Sequence, residues 1–161
     1  MIRHARPADH AAIAAVNDLA FGQTDESILI ARLRADGDAM CEMVSETDGS
    51  IDGHILFSRL WADHHGLFAA LAPLSVRPEK QNTGLGSALV KAGLANVREF
   101  GCHGVLVLGD PAYYGRFGFD AALAAEVACP FKGLAAFQGL ALEEEAFARP
   151  LTVAYPDAFS A

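Results

Sequence analysis

Leu71-Ala72-Pro73-Leu74-Ser75-Val76-Arg77-Pro78-Glu79-Lys80-Gln81-Asn82-Thr83-Gly84-Leu85-Gly86-Ser87-Ala88-Leu89 passes from an extended apolar segment, through a polar loop with two glycines, into a helix. A helix start leaves backbone N–H groups without intrahelical partners. Those donors, with the positive end of the helix dipole, attract an anion. Glycine lets a bulky anion approach the backbone closely. The loop therefore reads as a seat for phosphate or pyrophosphate, although two glycines at such a junction serve equally well as turn residues. No Lys-Ser/Thr pair follows the glycines, which excludes a Walker A loop, and Leu89 stands where a third Rossmann glycine belongs.

Upstream of this stretch, Ile2–Arg6 alternates like a strand, and Pro7 opens a helix over Ala8–Ala20 with Ile13, Val16 and Ala20 on one face. A second helix begins at Thr24, has acids in its first turn and ends at Gly37. Met40–Glu46 and His54–Trp61 read as strands joined through the turn-rich Thr47–Gly53, and Leu67–Val76 completes an antiparallel meander. Pro73 cannot donate to a ladder, so it marks an edge, a bulge or a splayed pair of strands. Downstream, Leu85–Phe100 is an amphipathic helix, and Val105–Leu108 is a short strand expected to lie parallel to Leu67–Val76. Pro111 begins a short helix that ends near Gly118. Leu123–Phe131 and Ala148–Tyr155 are weaker strand candidates, and Leu134–Leu140 reads as a short helix or loop.

The 161 residues suit a single domain, 1–161, with one core. With 52% hydrophobic and 20% charged residues the chain is globular. No apolar run approaches the roughly 20 residues of a membrane span, and Met1–Pro7 has no apolar signal-peptide core. Cys41, Cys102 and Cys129 are widely separated and give neither a disulfide framework nor a metal-ligand spacing. A cytoplasmic setting is expected, with no membrane partner and no metal. The formal net charge of −8 argues against a nucleic-acid partner. It favours approach of a cationic substrate such as an amine, and serves solubility equally well.

Two motifs combine into a resemblance. Gln81-Asn82-Thr83-Gly84-Leu85-Gly86 matches the Q/R-x-x-G-x-G/A motif of the GNAT superfamily of N-acetyltransferases, and Tyr114-Gly115-Arg116-Phe117-Gly118-Phe119 matches its Y-x-x-x-G-F element. The order of elements fits along nearly the whole chain. The run from Leu108 to Phe119 and the ending Val153–Phe159 resemble the YhbS-like branch. The resemblance implies an α/β fold (α+β by stricter sorting). Its mixed, mostly antiparallel twisted sheet has about six or seven strands, flanked by helices, with a splayed central parallel pair. It also implies acetyl-CoA as co-substrate, lying between Leu67–Val76 and Val105–Leu108. The backbone of Leu74, Ser75 and Val76 would meet the pantetheine arm. Gln81, Asn82, Thr83, Gly84, Leu85, Gly86 and Ser87 would hold the pyrophosphate. Arg77 and Lys80 either add positive charge there or are solvated loop cations.

The implied reaction is direct attack of a small-molecule or peptide amine on the thioester. It needs a neutral amine, a polarised carbonyl and a stabilised thiolate. By the motif match Tyr114 donates to the departing sulfur, a backbone N–H near Leu74 polarises the carbonyl, and Tyr113 is expected to pack. Many family members carry a glutamate on the strand before the motif, and Leu67–Val76 has no acid. Glu42, His54 and Asp110 are base candidates on chemistry alone. The adjacent His64 and His65 make no metal site by adjacency. The acceptor pocket is expected from Phe21–Asp25 and Ala124–Glu145, where the cluster Glu143, Glu144 and Glu145 either meets a cationic acceptor or forms a solvated turn. A homodimer through the apolar C-terminal half is compatible with the sequence. The alternative function is a CoA-binding regulatory module with little catalysis. An unrelated nucleotide-binding α/β protein would bind ATP in place of CoA.

Overall fold

The protein, seen here as a computed structural model, is described over residues 1–63 and 66–160. In chain order its elements are β1 (Ile2–His4), α1 (His10–Phe21), α2 (Asp25–Ala35), β2 (Ala39–Thr47), β3 (Ser50–Ala62), β4 (Phe68–Val76), α3 (Leu85–Glu99), β5 (Gly104–Leu108), α4 (Pro111–Tyr114), α5 (Ala121–Ala124), β6 (Val127–Ala128), β7 (Phe137–Ala141) and β8 (Leu151–Ala154). The sheet runs β1-β2-β3-β4-β5-β7, antiparallel except for the parallel pair β4–β5. β8 joins the far end of β3 through Trp61 and Ala62 and lies parallel to the two-residue β6. The eight strands among the described residues exceed the six or seven expected, because these short C-terminal pieces extend the sheet beyond its main path.

Strand alternation divides the core. Ile55, Phe57, Ala69, Leu71, Val105 and Val107 face α3 and pack on its Leu89, Val90 and Val97. On the opposite face, Val44, Ile51 and Leu56 meet Ile13 and Val16 of α1 and Ile30 and Leu33 of α2. Farther along that face Leu60, Phe68, Ala70 and Leu106 are covered by Val127, Phe137, Leu151 and Val153. α3 lies close on the sheet because Gly93 leaves room for the Phe57 ring.

The β2–β3 connection is tighter than the turn-rich Thr47–Gly53 suggested. Thr47 pairs with Ser50, and Asp48 (φ 50°) and Gly49 (φ 79°) alone make the turn. That is the Asp-Gly hairpin preference, in which both central residues take positive φ. Leu134–Leu140, read as helix or loop, holds all but the last residue of β7, which pairs with β5 along all five residues of both strands. Phe-Gln-Gly-Leu-Ala shows no clean alternation, because Gly139 must be small: a Cβ there would lie 3.1 Å from the Phe147 ring. Leu123–Phe131 likewise resolves into α5 followed by β6 rather than one strand.

The feature that shapes the rest is the β4–β5 pair. Its ladder has three rungs, Phe68↔Gly104, Ala69↔Val105 and Ala70↔Leu106. Beyond them β4 follows β3 and β5 follows β7, and the two part. The parting begins at an irregularity in β4: Phe57 pairs with Leu71 but Ile55 with Leu74, so Ala72 and Pro73 together face one residue of β3. Pro73 brings no N–H to be left unpaired there. No helix among the described residues is long and apolar enough to cross a membrane.

Gly93→Ala tests the seating of α3. Helix propensity alone favours alanine by about 1 kcal/mol, but the new Cβ overlaps the fully buried Phe57 ring, and overpacking costs about 1–3 kcal/mol. Chemical denaturation is expected to show a net loss of up to about 2 kcal/mol; a gain would mean that α3 stands off the sheet.

Candidate functional site

Where β4 leaves β5, its freed edge faces a cleft of about 450 Å³ lined by Leu74, Val76, Gln81, Asn82, Gly84, Gly86, Ser87, Tyr113 and Arg116. The loop that closes it is built from local backbone chemistry. Pro78–Lys80 makes one 3-10 turn, and the Gln81 side chain donates to the Val76 carbonyl over 3.1 Å. Gly84 then enters α3 with φ 88°, a left-handed conformation that a Cβ would strain. α3 has no side-chain cap. Its first N–H groups are left to the cleft, at the positive end of a 15-residue helix.

Seven of the ten residues expected to hold a cofactor line this cleft; Ser75, Thr83 and Leu85 do not. The Ser75 side chain points to the α1 face, where its hydroxyl is buried without a protein partner. Thr83 turns its hydroxyl back to the Lys80 carbonyl. Arg77 leaves the cleft: its Nε donates to the Ile51 carbonyl over 2.9 Å, beside Arg3 and Arg6. The guanidinium at the cleft is that of Arg116, which the sequence reading did not single out as a site residue. Its signal lies in the helical spacing from Tyr113, three residues earlier.

The two tyrosines face different surroundings. Asp110 caps α4 by accepting from the Ala112 N–H over 3.0 Å, which fixes the short helix at the end of β5. This gives Asp110 a structural task, and it does not line the cleft. Tyr114 packs inward, edge-on to Phe119 and so close over Gly109 that a Cβ there would come within 2.5 Å of its Cε2. Burial, with Tyr113 beside it, pushes the Tyr114 hydroxyl up to about 12. Tyr113, expected to pack, instead lines the cleft: its hydroxyl reaches 3.5 Å from Ser87 Oγ.

Glu42 and His54 are brought together, but away from the cleft. Arg34 of α2 holds the Glu42 carboxylate with two hydrogen bonds of 3.0 and 2.6 Å, and His54 Nε2 lies 2.7 Å from the same carboxylate. Asn17 of α1 donates its Nδ2 to the Ile13 carbonyl over 2.9 Å and reaches His54 Nδ1 at 3.3 Å. An amide donor at Nδ1 leaves the imidazole neutral, with its proton on Nε2 toward Glu42. Desolvation lowers the His54 pKa against the pull of Glu42. For Glu42 burial acts upward, yet the hydrogen bonds from His54 and Arg34 win and hold it at about 2. Asn17 and His54 are both 0% exposed, so the network pins both helices to the sheet and gives no open base. No sequence spacing announces it, because its four members come from four elements.

At the opposite end of β4 the acidic cluster is a turn. The Leu67 N–H donates to His103 Nδ1, and His103 Nε2 lies 2.8 Å from Glu143, whose side chain is 60% exposed. His64 and His65 lie outside the described residues. No group of three or more described His, Cys, Asp or Glu residues is arranged to hold a metal ion.

Comparison with known proteins places these features in a family. Residues 10–119 match the model of the Acetyltransferase (GNAT) family. YhbS of Escherichia coli K12, an uncharacterized N-acetyltransferase, is 35% identical over 149 residues, covering 91% of this chain and 89% of that one. YjhQ of the same strain, also an uncharacterized N-acetyltransferase, is 39% identical over 119 residues; the match takes in 70% of this chain but 65% of YjhQ. The crystal structure of Escherichia coli YhbS in complex with CoA superposes with a TM-score of 0.93 at 33% identity, over 100% of this chain and 92% of that chain. A GNAT family acetyltransferase from Brucella melitensis in complex with acetyl-CoA gives 0.84 at 35% identity, over 99% and 97%.

The buried network sets an acid response. His54 titrates below its ordinary 6.5 when folded, so under that pH the unfolded chain takes a proton that the folded chain refuses. Its contribution is complete above pH 6.5 and is lost as the pH falls. Glu42, at about 2 against an ordinary 4.5, adds a second loss below pH 4.5. Thermal unfolding is expected to show a midpoint that drops between pH 7 and pH 5, with the drop flattened in His54→Gln; equal slopes in both proteins would remove His54 from the account.

Proposed function

Because the chain belongs to the GNAT acetyltransferase family, we propose that it transfers the acetyl group of acetyl-CoA to an amine by direct attack on the thioester. The observation that carries this reading is the three-rung β4–β5 ladder opening beside an uncapped helix start. The pantetheine arm adds to the free edge of β4 at Leu74–Val76 as a further strand would, and the pyrophosphate meets the N–H groups from Asn82 to Ser87.

In the reaction the amine lone pair forms the C–N bond, the carbonyl oxygen takes up charge facing an N–H near Leu74, and the C–S bond breaks to release thiolate. Tyr114, the last residue of α4, donates a hydrogen bond to that sulfur. A phenol at about 12 is protonated at neutral pH. Full proton transfer from it to a thiol of ordinary pKa, about 8.5, is uphill. Tyr114 therefore stabilises the thiolate, and the proton that ends on sulfur derives from the amine. The strand β4 carries no acid, and Glu42 and His54 are held in the buried network, so the amine enters already neutral or gives its proton to water. The free thiols of Cys41, Cys102 and Cys129 suit a reducing cytoplasm.

Two measurements test this. Calorimetric titration is expected to show acetyl-CoA and CoA binding with ATP silent. With an amine panel and free-thiol release as the readout, Tyr114→Phe is expected to cut transfer by about tenfold or more while acetyl-CoA affinity stays within about twofold. The pH profile follows from the missing base: kcat/KM is expected to climb toward the amine's own pKa of about 10, whereas a plateau near pH 7 would reveal a base in the site. The absence of an acid on β4 also favours a second reading, a CoA-binding regulatory module. CoA binding without thiol release for any amine would select it.

A further inference from the structure

Tyr113 and Tyr114 are adjacent, and the helical turn of α4 sends them apart. Residues one apart on a helix diverge, whereas residues three apart share a side. Tyr113 accordingly shares its side with Arg116, whose guanidinium lies 5.2 Å from the Tyr113 ring centroid. Both line the cleft at the start of α3, and Tyr114 does not.

The Tyr113 hydroxyl is placed over the helix start. It would lie 3.0 Å from a Cβ on Gly86, and it reaches Ser87 Oγ at 3.5 Å. Hydroxyl–hydroxyl hydrogen bonds ordinarily measure about 2.7–2.8 Å, so this contact leaves the phenol proton available to a stronger acceptor. The Arg116 guanidinium holds the Tyr113 ring by a cation–π contact and is the one cation among the described residues lining the cleft. In a chain of net charge −8, a phenol donor and a guanidinium facing an uncapped helix start make a local reversal of sign.

We propose that Tyr113 and Arg116 form a clamp that holds the pyrophosphate of the CoA substrate against the start of α3. The proposal rests on the acetyl-CoA reading above and divides labour between the tyrosines: Tyr113 binds the anion and Tyr114 serves the sulfur. Gly86 belongs to the same device, because a side chain there would displace the Tyr113 hydroxyl.

The experiment is calorimetric titration of the full chain with CoA, and displacement of CoA by inorganic pyrophosphate, in wild type, Tyr113→Phe, Arg116→Gln and Tyr114→Phe. Circular dichroism confirms that each variant is folded. Losing one charge-assisted hydrogen bond is expected to weaken CoA about five- to tenfold in Tyr113→Phe and in Arg116→Gln. Displacement by pyrophosphate is expected to need correspondingly more of the anion. Arg116→Gln is also expected to flatten the salt dependence of CoA binding, and Tyr114→Phe to bind within about twofold of wild type. If the wild type binds CoA and Tyr113→Phe binds both CoA and pyrophosphate equally well, the clamp is overturned and acetyl transfer stands. If the wild type does not bind CoA, both fall.

Discussion

Strand β4 is bonded on both edges over Phe68–Ala70 and on one edge thereafter. That change of state is the constraint on which the rest of the molecule depends. Backbone N–H and C=O groups are obligatory hydrogen-bonding groups, and a sheet interior does not leave them unpaired. A protein that opens its own sheet at the centre must have an occupant for the edge it exposes, or water. The extra residue at Ala72–Pro73 supplies the bend, proline removes one donor that would otherwise be lost, and β7 captures the whole length of β5 so that the divergence does not unravel its other edge.

Both walls of the opening are held from behind. On one face Gly93 lets α3 settle on Phe57, which sets the distance from the helix start to β4. On the other, Arg34, Glu42, His54 and Asn17 tie α1 and α2 to β2 and β3. Removing one partner leaves the others with unpaired polar groups in the interior, which costs more than a surface ion pair returns. The cleft therefore opens in a rigid frame, and among the described residues that line it the one charged side chain is Arg116.

The parts of this arrangement that are legible in sequence are those where local backbone demands dictate residue type. Gly84 needs left-handed φ, Pro73 marks the irregular strand, and Gln81 to Gly86 and Tyr114 to Phe119 carry their spacing openly. β7 is not legible, because Gly139 answers to Phe147 far along the chain rather than to a strand pattern. The separation of Tyr113 from Tyr114 depends on a single helical turn, and residue type cannot say which ring faces outward. Arg77 reads from its place in the loop as either a phosphate cation or a solvated one, and the Ile51 carbonyl claims it instead. The buried histidine network assembles only once four elements have met, so Glu42 and His54 were recognisable as ionisable groups but not as partners.

If one ligand spans the free edge of β4 and the start of α3 together, both segments respond to it at once. Amide hydrogen exchange with and without acetyl-CoA measures this. Slowed exchange is expected in two separated segments, Leu74–Val76 and Asn82–Ser87, at the same ligand concentration. Binding that protects neither segment, or protects only the helix start, would contradict the reading of the parted strands as the seat of the thioester arm.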